Sequence, residues 1–292
     1  MSGPPPSFAA PKISLVLPVH NGARFLAAAL ESVLAQTFAD FELICVDDAS
    51  QDASPAILAR YAADPRIRLI TLAVNKGLPA ALNAGFAAAR GDYHGWTSDD
   101  NVLRPAMLAT LAGVLDTDRS VDIVHSAVTF IDEDDRVTGA DTVGPASRLL
   151  HGNNIGASFL YRRTVTDALG GYDEGLFGVE DYDFWLRAAR QFAFRAIPDN
   201  LYLYRKHGGS LTSQRAAHIH RLCAEIVQRE LDRTPDHPER AAILLALALR
   251  SHALWRIDLV WAAFRAQPSL VLAHSWRIAR WTASVARARL SG

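Results

Sequence analysis

Four short apolar runs fall within the first hundred residues, at 13–19, 41–46, 67–72 and 93–98, and each is followed by a segment of helical character. Phe25, Leu26, Ala29, Leu30, Val33 and Leu34 recur at helical spacing after the first run. Ser54 before Pro55 predicts an N-cap and a first helical position, with a helix to about residue 63. Residues 79–90 predict a third helix closed by Gly91, and 105–115 a fourth. Strands alternating with helices at this spacing make βαβ units, and hence an α/β domain with a mostly parallel sheet. Pro18 is expected to end the first strand, because proline cannot donate to a central ladder.

Open parallel sheets bind ligands beyond the C-terminal ends of their strands. Pro18 and His20, Asp47-Asp48, and Thr97-Ser98-Asp99-Asp100 all fall at such ends. Adjacent carboxylates repel unless a positive charge sits near them, and hard divalent cations prefer oxygen ligands. A capping role for Asp100 or Asn101 at the next helix is the alternative. Farther on, 121–131 reads as a strand, 132–136 as a charged hairpin tip, and Gly170-Gly171 as a turn after a short helix. Glu180-Asp181 opens a helix running to residue 190, and 192–197 and 201–204 read as final strands. From 213 onward the chain is rich in Ala, Leu and Arg and helical.

The chain has 292 residues, half of them apolar, enough for a large core. Its formal net charge of −1 gives no reason to expect nucleic-acid binding. The charge is uneven, with about seven excess negatives before Glu239 and about six excess positives from there on. Cys45 and Cys223 form neither a metal spacing nor a disulfide framework, which fits a reducing, cytoplasmic compartment. Residues 1–11 lack an apolar signal core and are expected to be a disordered lead-in. No apolar stretch approaches the roughly 20 residues of a spanning helix.

Taken in order, Leu17-Pro18-Val19-His20-Asn21-Gly22, Val46-Asp47-Asp48-Ala49-Ser50 with Asp52, Asn75-Lys76-Gly77 with Ala81-Leu82-Asn83-Ala84-Gly85, Gly91-Asp92, Thr97-Ser98-Asp99-Asp100, Glu180-Asp181 and Tyr204-Arg205-Lys206-His207 resemble the motifs of the inverting family-2 glycosyltransferases. No one motif is specific; their order and spacing are. The resemblance implies a GT-A fold, Rossmann-like with a mostly parallel central sheet, over residues 12–212, followed by a helical extension over 213–292. It also implies a nucleotide-diphosphate sugar donor, UDP-linked, and Mn²⁺ or Mg²⁺ as cofactor. The acceptor would be a hydroxyl of a saccharide or glycolipid in cell-envelope polysaccharide synthesis.

By the same resemblance Asp47 accepts the base imide, Pro18 and His20 flank the base, and Asn75, Asp99 and Arg205 line the nucleotide-sugar site. Asp100, Asp99 and His207 hold the metal. Thr97 stands where the family pattern has Asp, which puts the ligand set in question. Asp181, with Glu180 as second choice, is the general base. Each assignment has a plainer counterpart: Asp47 as a cap, Glu180-Asp181 as acids at a helix N-terminus, Arg205 and His207 in a solvated basic loop. The rival function is a non-catalytic nucleotide-sugar-binding or assembly subunit. A nucleotidyltransferase is a weaker third reading, because no Gly-rich phosphate loop follows the first strand.

In the tail Trp255, Trp261, Trp276 and Trp281 alternate with Arg250, Arg256, Arg265, Arg277 and Arg280. This pattern suits either helices packed on the main domain or peripheral contact with the inner face of an anionic membrane.

Overall fold

The computed structural model describes residues 10–210, 215–250 and 256–290. The expected lead-in lies almost wholly outside these residues, as do the 212–213 junction and Trp255. The chain divides into two compact units. One runs up to Ser147 and resumes over Asn154–Gly208; the other joins Arg148–Asn153 to the segment from Gly209 onward.

Among the described residues the first unit is built on a sheet of nine strands. Its first part follows the alternation read from the sequence: β1 Ile13–Val19, α1 Leu26–Leu34, β2 Phe41–Asp47, α2 Ser54–Tyr61, β3 Ile67–Thr71, α3 Leu78–Ala88 and β4 Tyr93–Trp96. β3, β2, β1 and β4 are neighbours in that order and all parallel. β1 and β2 are buried at every position, as predominantly apolar strands covered on both faces are. α1 turns Leu26, Ala29, Leu30 and Val33 inward.

β1 runs through Pro18 instead of stopping there. The Val16 carbonyl accepts from Thr97 on the β4 side, and the Val19 carbonyl accepts from Asp48 on the β2 side. By alternation Pro18 faces the β4 side, beyond the last β1–β4 pair, Val16 and Trp96. Its missing N–H therefore interrupts no ladder.

The rest of the sheet is mixed. β5 Val102–Leu103 and α4 Met107–Thr117 precede β6 Ile123–Ile131, which forms a hairpin with β7 Val137–Asp141 around the charged tip. β8 Phe159–Arg162 inserts antiparallel between β4 and β6. After α5 Arg163–Leu169 and α6 Glu180–Ala188, β9 Phe194–Arg205 lies parallel to β6 and antiparallel to β5. The two final strands expected at 192–197 and 201–204 are one strand. A register irregularity opposite Ser126–Val128 absorbs the Pro198 region and lets β9 continue. Asp52 performs the capping expected of Ser54: its Oδ1 accepts the Ser54 N–H at 2.9 Å.

The second unit is helical: Ala216–Arg233, Arg240–Arg250, Ile257–Ala266, Pro268–Ala273 and Ser275–Leu290. Its core includes Ile226, Val227, Leu231, Ile243, Leu244, Ala248, Leu259, Ala263, Trp281 and Val285. His151 Nε2 lies 3.0 Å from Glu239 Oε2, which ties the short 148–153 segment to these helices.

Candidate active site

The chain turns left by β1, β2 and β4 form one rim. At its centre is His20. Asn21 and Asn75 each accept a backbone N–H at Oδ1, from Gln51 at 2.8 Å and from Gly77 at 3.0 Å. That orients both amides so that Nδ2 faces His20 Nε2, at 3.1 and 2.9 Å. Nε2 is therefore the acceptor, and Nδ1 carries the hydrogen donated to the Asp48 carbonyl at 2.7 Å.

The β2 carboxylates divide their work. Asp48 accepts the Lys76 and Gly77 amides, both at 2.8 Å, and so shapes the turn into α3. Asp47 is buried and accepts the Ser50 amide at 3.1 Å. Asp52 adds the Ala23 amide at 3.0 Å, joining the β1 and β2 turns. Pro18 is buried inside β1 and shapes the strand end rather than lining the rim. His20 and Asn75 are exposed there.

At the end of β4, Thr97 is buried and its Oγ1 lies 2.7 Å from the Tyr202 hydroxyl. It belongs to the core and is turned away from ligand duty. Asp99 lies against Gly22, where a Cβ would stand 1.9 Å from Asp99 Oδ2. No residue larger than glycine fits that turn without moving the carboxylate. Burial, then the charge of Asp100, pushes the Asp99 carboxyl up to about 7.

Asp100 faces His207, with Oδ2 at 3.0 Å from Nε2, while its buried Oδ1 has no hydrogen-bond partner. A buried carboxyl oxygen without a hydrogen-bond partner is costly, and a cation would supply what is missing. Among the described residues no three His, Cys, Asp or Glu are grouped so as to hold a metal. Asp100 and His207 form a two-ligand set beside Asp99. Mg²⁺ and Mn²⁺ commonly complete so small a set with substrate phosphates and water. The residues fit a metal that arrives with a diphosphate.

Arg205 is placed differently from its expected role. It is only 2% exposed. Its Nε donates to the Asp100 carbonyl at 2.8 Å, one terminal nitrogen to the Asp132 carbonyl at 2.9 Å, and the other pairs with Asp135 at 2.7 Å. The guanidinium also stacks 4.5 Å from the Phe25 ring centroid. Each of its three nitrogens is bonded to protein and the side chain is buried, so it braces the Asp100 backbone. The Arg205 amide donates to Asn101 Oδ1 at 2.7 Å, which joins β9 to the same loop. Phe25 also meets the His207 ring edge-on at 5.2 Å.

The second acidic pair opens α6. Glu180 is buried, and its Oε2 accepts the Gly178 amide at 2.6 Å. Burial, then the adjoining Asp181 charge, raises its carboxyl well above the usual range. Asp181 is half-buried and its Oδ1 accepts the Tyr182 amide at 2.7 Å. The loop before this helix is clamped from α3. Asn83 donates Nδ2 to the Tyr172 carbonyl at 2.9 Å and accepts the Tyr172 amide at 2.8 Å. Arg187 donates to the carbonyls of Leu169 and Gly171, at 2.9 and 2.8 Å, while paired with Asp183 at 2.7 Å. Gly171 has φ +84°, a left-handed conformation that favours glycine.

The structure thus gathers His20, Asp47, Asn75, Asp99, Asp100 and His207 around the strand ends and puts Glu180 and Asp181 at the start of α6. Asp48 and Asn83 carry positioning work that the sequence reading does not assign, and Asn101, read there as a possible helix cap, accepts the Arg205 amide instead. Asp48 could have been found as the second member of its acidic pair. The partners of Asn83 and Asn101 give no local signal, since they lie far along the chain.

A family model described as Glycosyl transferase family 2 matches residues 14–180. Among curated relatives, YwdF of Bacillus subtilis, an uncharacterised glycosyltransferase, is 31% identical over 199 residues, 64% of this chain and 71% of its own. An uncharacterised glycosyltransferase of Rickettsia felis is 29% identical over 191 residues, 62% of this chain but 32% of the relative. Over several such relatives the chain spans less than two thirds of their length. Among solved structures, S. aureus TarS in complex with UDP-GlcNAc aligns with TM-score 0.65 at 19% identity, over 94% of this chain and 88% of that one. The mannosyltransferase PcManGT from Pyrobaculum calidifontis, with GDP-Man and Mn²⁺, aligns with TM-score 0.59 at 18% identity, over 97% and 85%. At these identities the two structures establish a shared GT-A-type fold.

Proposed function

The chain belongs to glycosyl transferase family 2, and from that membership we propose that it moves a sugar from a UDP-linked donor to a hydroxyl of a saccharide or glycolipid acceptor, inverting the anomeric carbon. One observation carries the reading. The buried Asp100 Oδ1 has no protein partner at the end of a parallel strand, beside His207 and Asp99, on the rim where such sheets bind ligands. UDP in a TarS complex supports the choice of base, and GDP-Man with Mn²⁺ in PcManGT supports a metal.

The nucleotide base rests along the rim between His20, Asp47 and Asn75. Asp100 and His207, with Asp99 adjoining, would hold Mn²⁺ or Mg²⁺, which would neutralise charge on the leaving diphosphate. Asp181 takes the proton of the acceptor hydroxyl. The acceptor oxygen bonds to the anomeric carbon from the face opposite the diphosphate, whose bond breaks with its electron pair. Glu180 is the poorer base, because its buried site favours the protonated form. Asp181 is the more accessible member of the pair. Arg205 and Asn101 fix the Asp100 loop, and Asn83 fixes the loop before Asp181.

A panel of UDP- and GDP-sugars, each with Mn²⁺, Mg²⁺ or chelator, tests this by thermal shift and by donor hydrolysis. The expected result is metal-dependent stabilisation and slow hydrolysis with a UDP-sugar. Stabilisation without hydrolysis or transfer to any acceptor would favour the non-catalytic binding subunit. No response to any nucleotide-sugar would overturn the reading.

A further inference from the structure

We infer that the outward faces of the last three helices, carrying Trp261, Leu272 and Trp276 among arginines, seat the helical unit on an anionic lipid bilayer surface. The Trp and Arg alternation of the tail separates into two populations. Trp281 is 4% exposed and belongs to the core of its unit, whereas Trp261 and Trp276 are each 59% exposed. Helix Ile257–Ala266 buries Leu259 and Ala263. At 100° per residue, Ile257, Trp261, Phe264 and Arg265 share the opposite face. The Trp261 and Phe264 rings stack there, with centroids 5.5 Å apart. The segment Pro268–Ala273 buries Val271 and leaves Leu272 exposed. Helix Ser275–Leu290 buries Trp281 and Val285 and turns Trp276 outward, with the Arg280 guanidinium 5.8 Å from its ring centroid.

Charge selects the occupant. From Arg256 to Leu290 the chain has six arginines and a single acidic residue, Asp258, and that one is bonded to Arg256 at 2.9 Å. Two copies meeting through this surface would bring like charges together, which disfavours self-association. Indole rings and guanidinium groups beside aliphatic side chains suit the headgroup layer of an anionic leaflet. No helix among the described residues is long and apolar enough to cross a membrane, so the contact is a surface one. Such seating would bring the chain to acceptors embedded in the bilayer, although it does not depend on the transfer reaction.

The test is flotation of the full chain with vesicles of phosphatidylcholine alone and of equal parts phosphatidylcholine and phosphatidylglycerol. The chain should float with the anionic vesicles only, and less in high salt. Neutralising one of Arg265, Arg277 and Arg280 to Gln should cut partitioning roughly fivefold, and all three on the order of a hundredfold. The double variant Trp261→Ala with Trp276→Ala should lose binding while its melting temperature stays near the parent's, since both side chains are exposed. Equal recovery with neutral vesicles, or undiminished binding by both variants, would overturn the proposal. So would vesicle-free sedimentation showing a dimer that the double Trp variant abolishes.

Discussion

Two carboxylates side by side in sequence end up in unlike surroundings. Glu180 is closed in, which raises its carboxyl above the usual range, while Asp181 is half-buried. Asp181→Asn should lower transfer by roughly 10² to 10⁴ while donor affinity survives. Glu180→Gln should cost less, and steady-state kinetics with saturating acceptor separates the two. Glu180 also has a pH signature in stability. Its folded-state affinity for a proton exceeds that of the unfolded chain, whose value lies near 4.5. It therefore contributes stability below that pH, and the contribution is lost as pH rises toward and through its raised folded value. Melting temperatures of the ligand-free protein across this window should fall less steeply in Glu180→Gln than in the parent. These acidic pairs were legible in the sequence because adjacency of like charges is a local signal. The commitment of Arg205 was not: its acceptors are the carbonyls of Asp100 and Asp132 and the side chain of Asp135, brought together only by the β6–β7 hairpin and β9.

At the scale of elements, α6 is positioned from α3. Asn83 satisfies both backbone groups of the buried Tyr172, so Asn83→Ala leaves a buried donor and acceptor unpaired. The expected cost is about 1–3 kcal/mol of stability, measured by denaturant unfolding. The turnover rate should fall more than donor affinity does, because the loop that slackens leads to Asp181. The βαβ elements could be read almost to the residue, since the parallel strands are predominantly apolar runs alternating with helical spacing. β5, at two residues, carries no periodicity, and β7 is a mostly exposed polar edge strand. β9 was read as two strands because Pro198 interrupts its pattern, and only its pairing with β6 shows it to be continuous.

For the whole molecule, local sequence could not foresee that β8 enters the sheet antiparallel to both β4 and β6, because strand order is decided by pairings across long separations. The consequence is functional. β9 runs beside β6 and returns Arg205 and His207 to the end of β4, where they meet Asp100. Calorimetric titration of UDP into the parent chain and into Asp100→Ala, each with Mn²⁺ and with chelator, tests the central claim most directly. The account predicts that Mn²⁺ strengthens UDP binding in the parent and that Asp100→Ala abolishes the difference. Equal UDP affinity with metal and with chelator in the parent would contradict it.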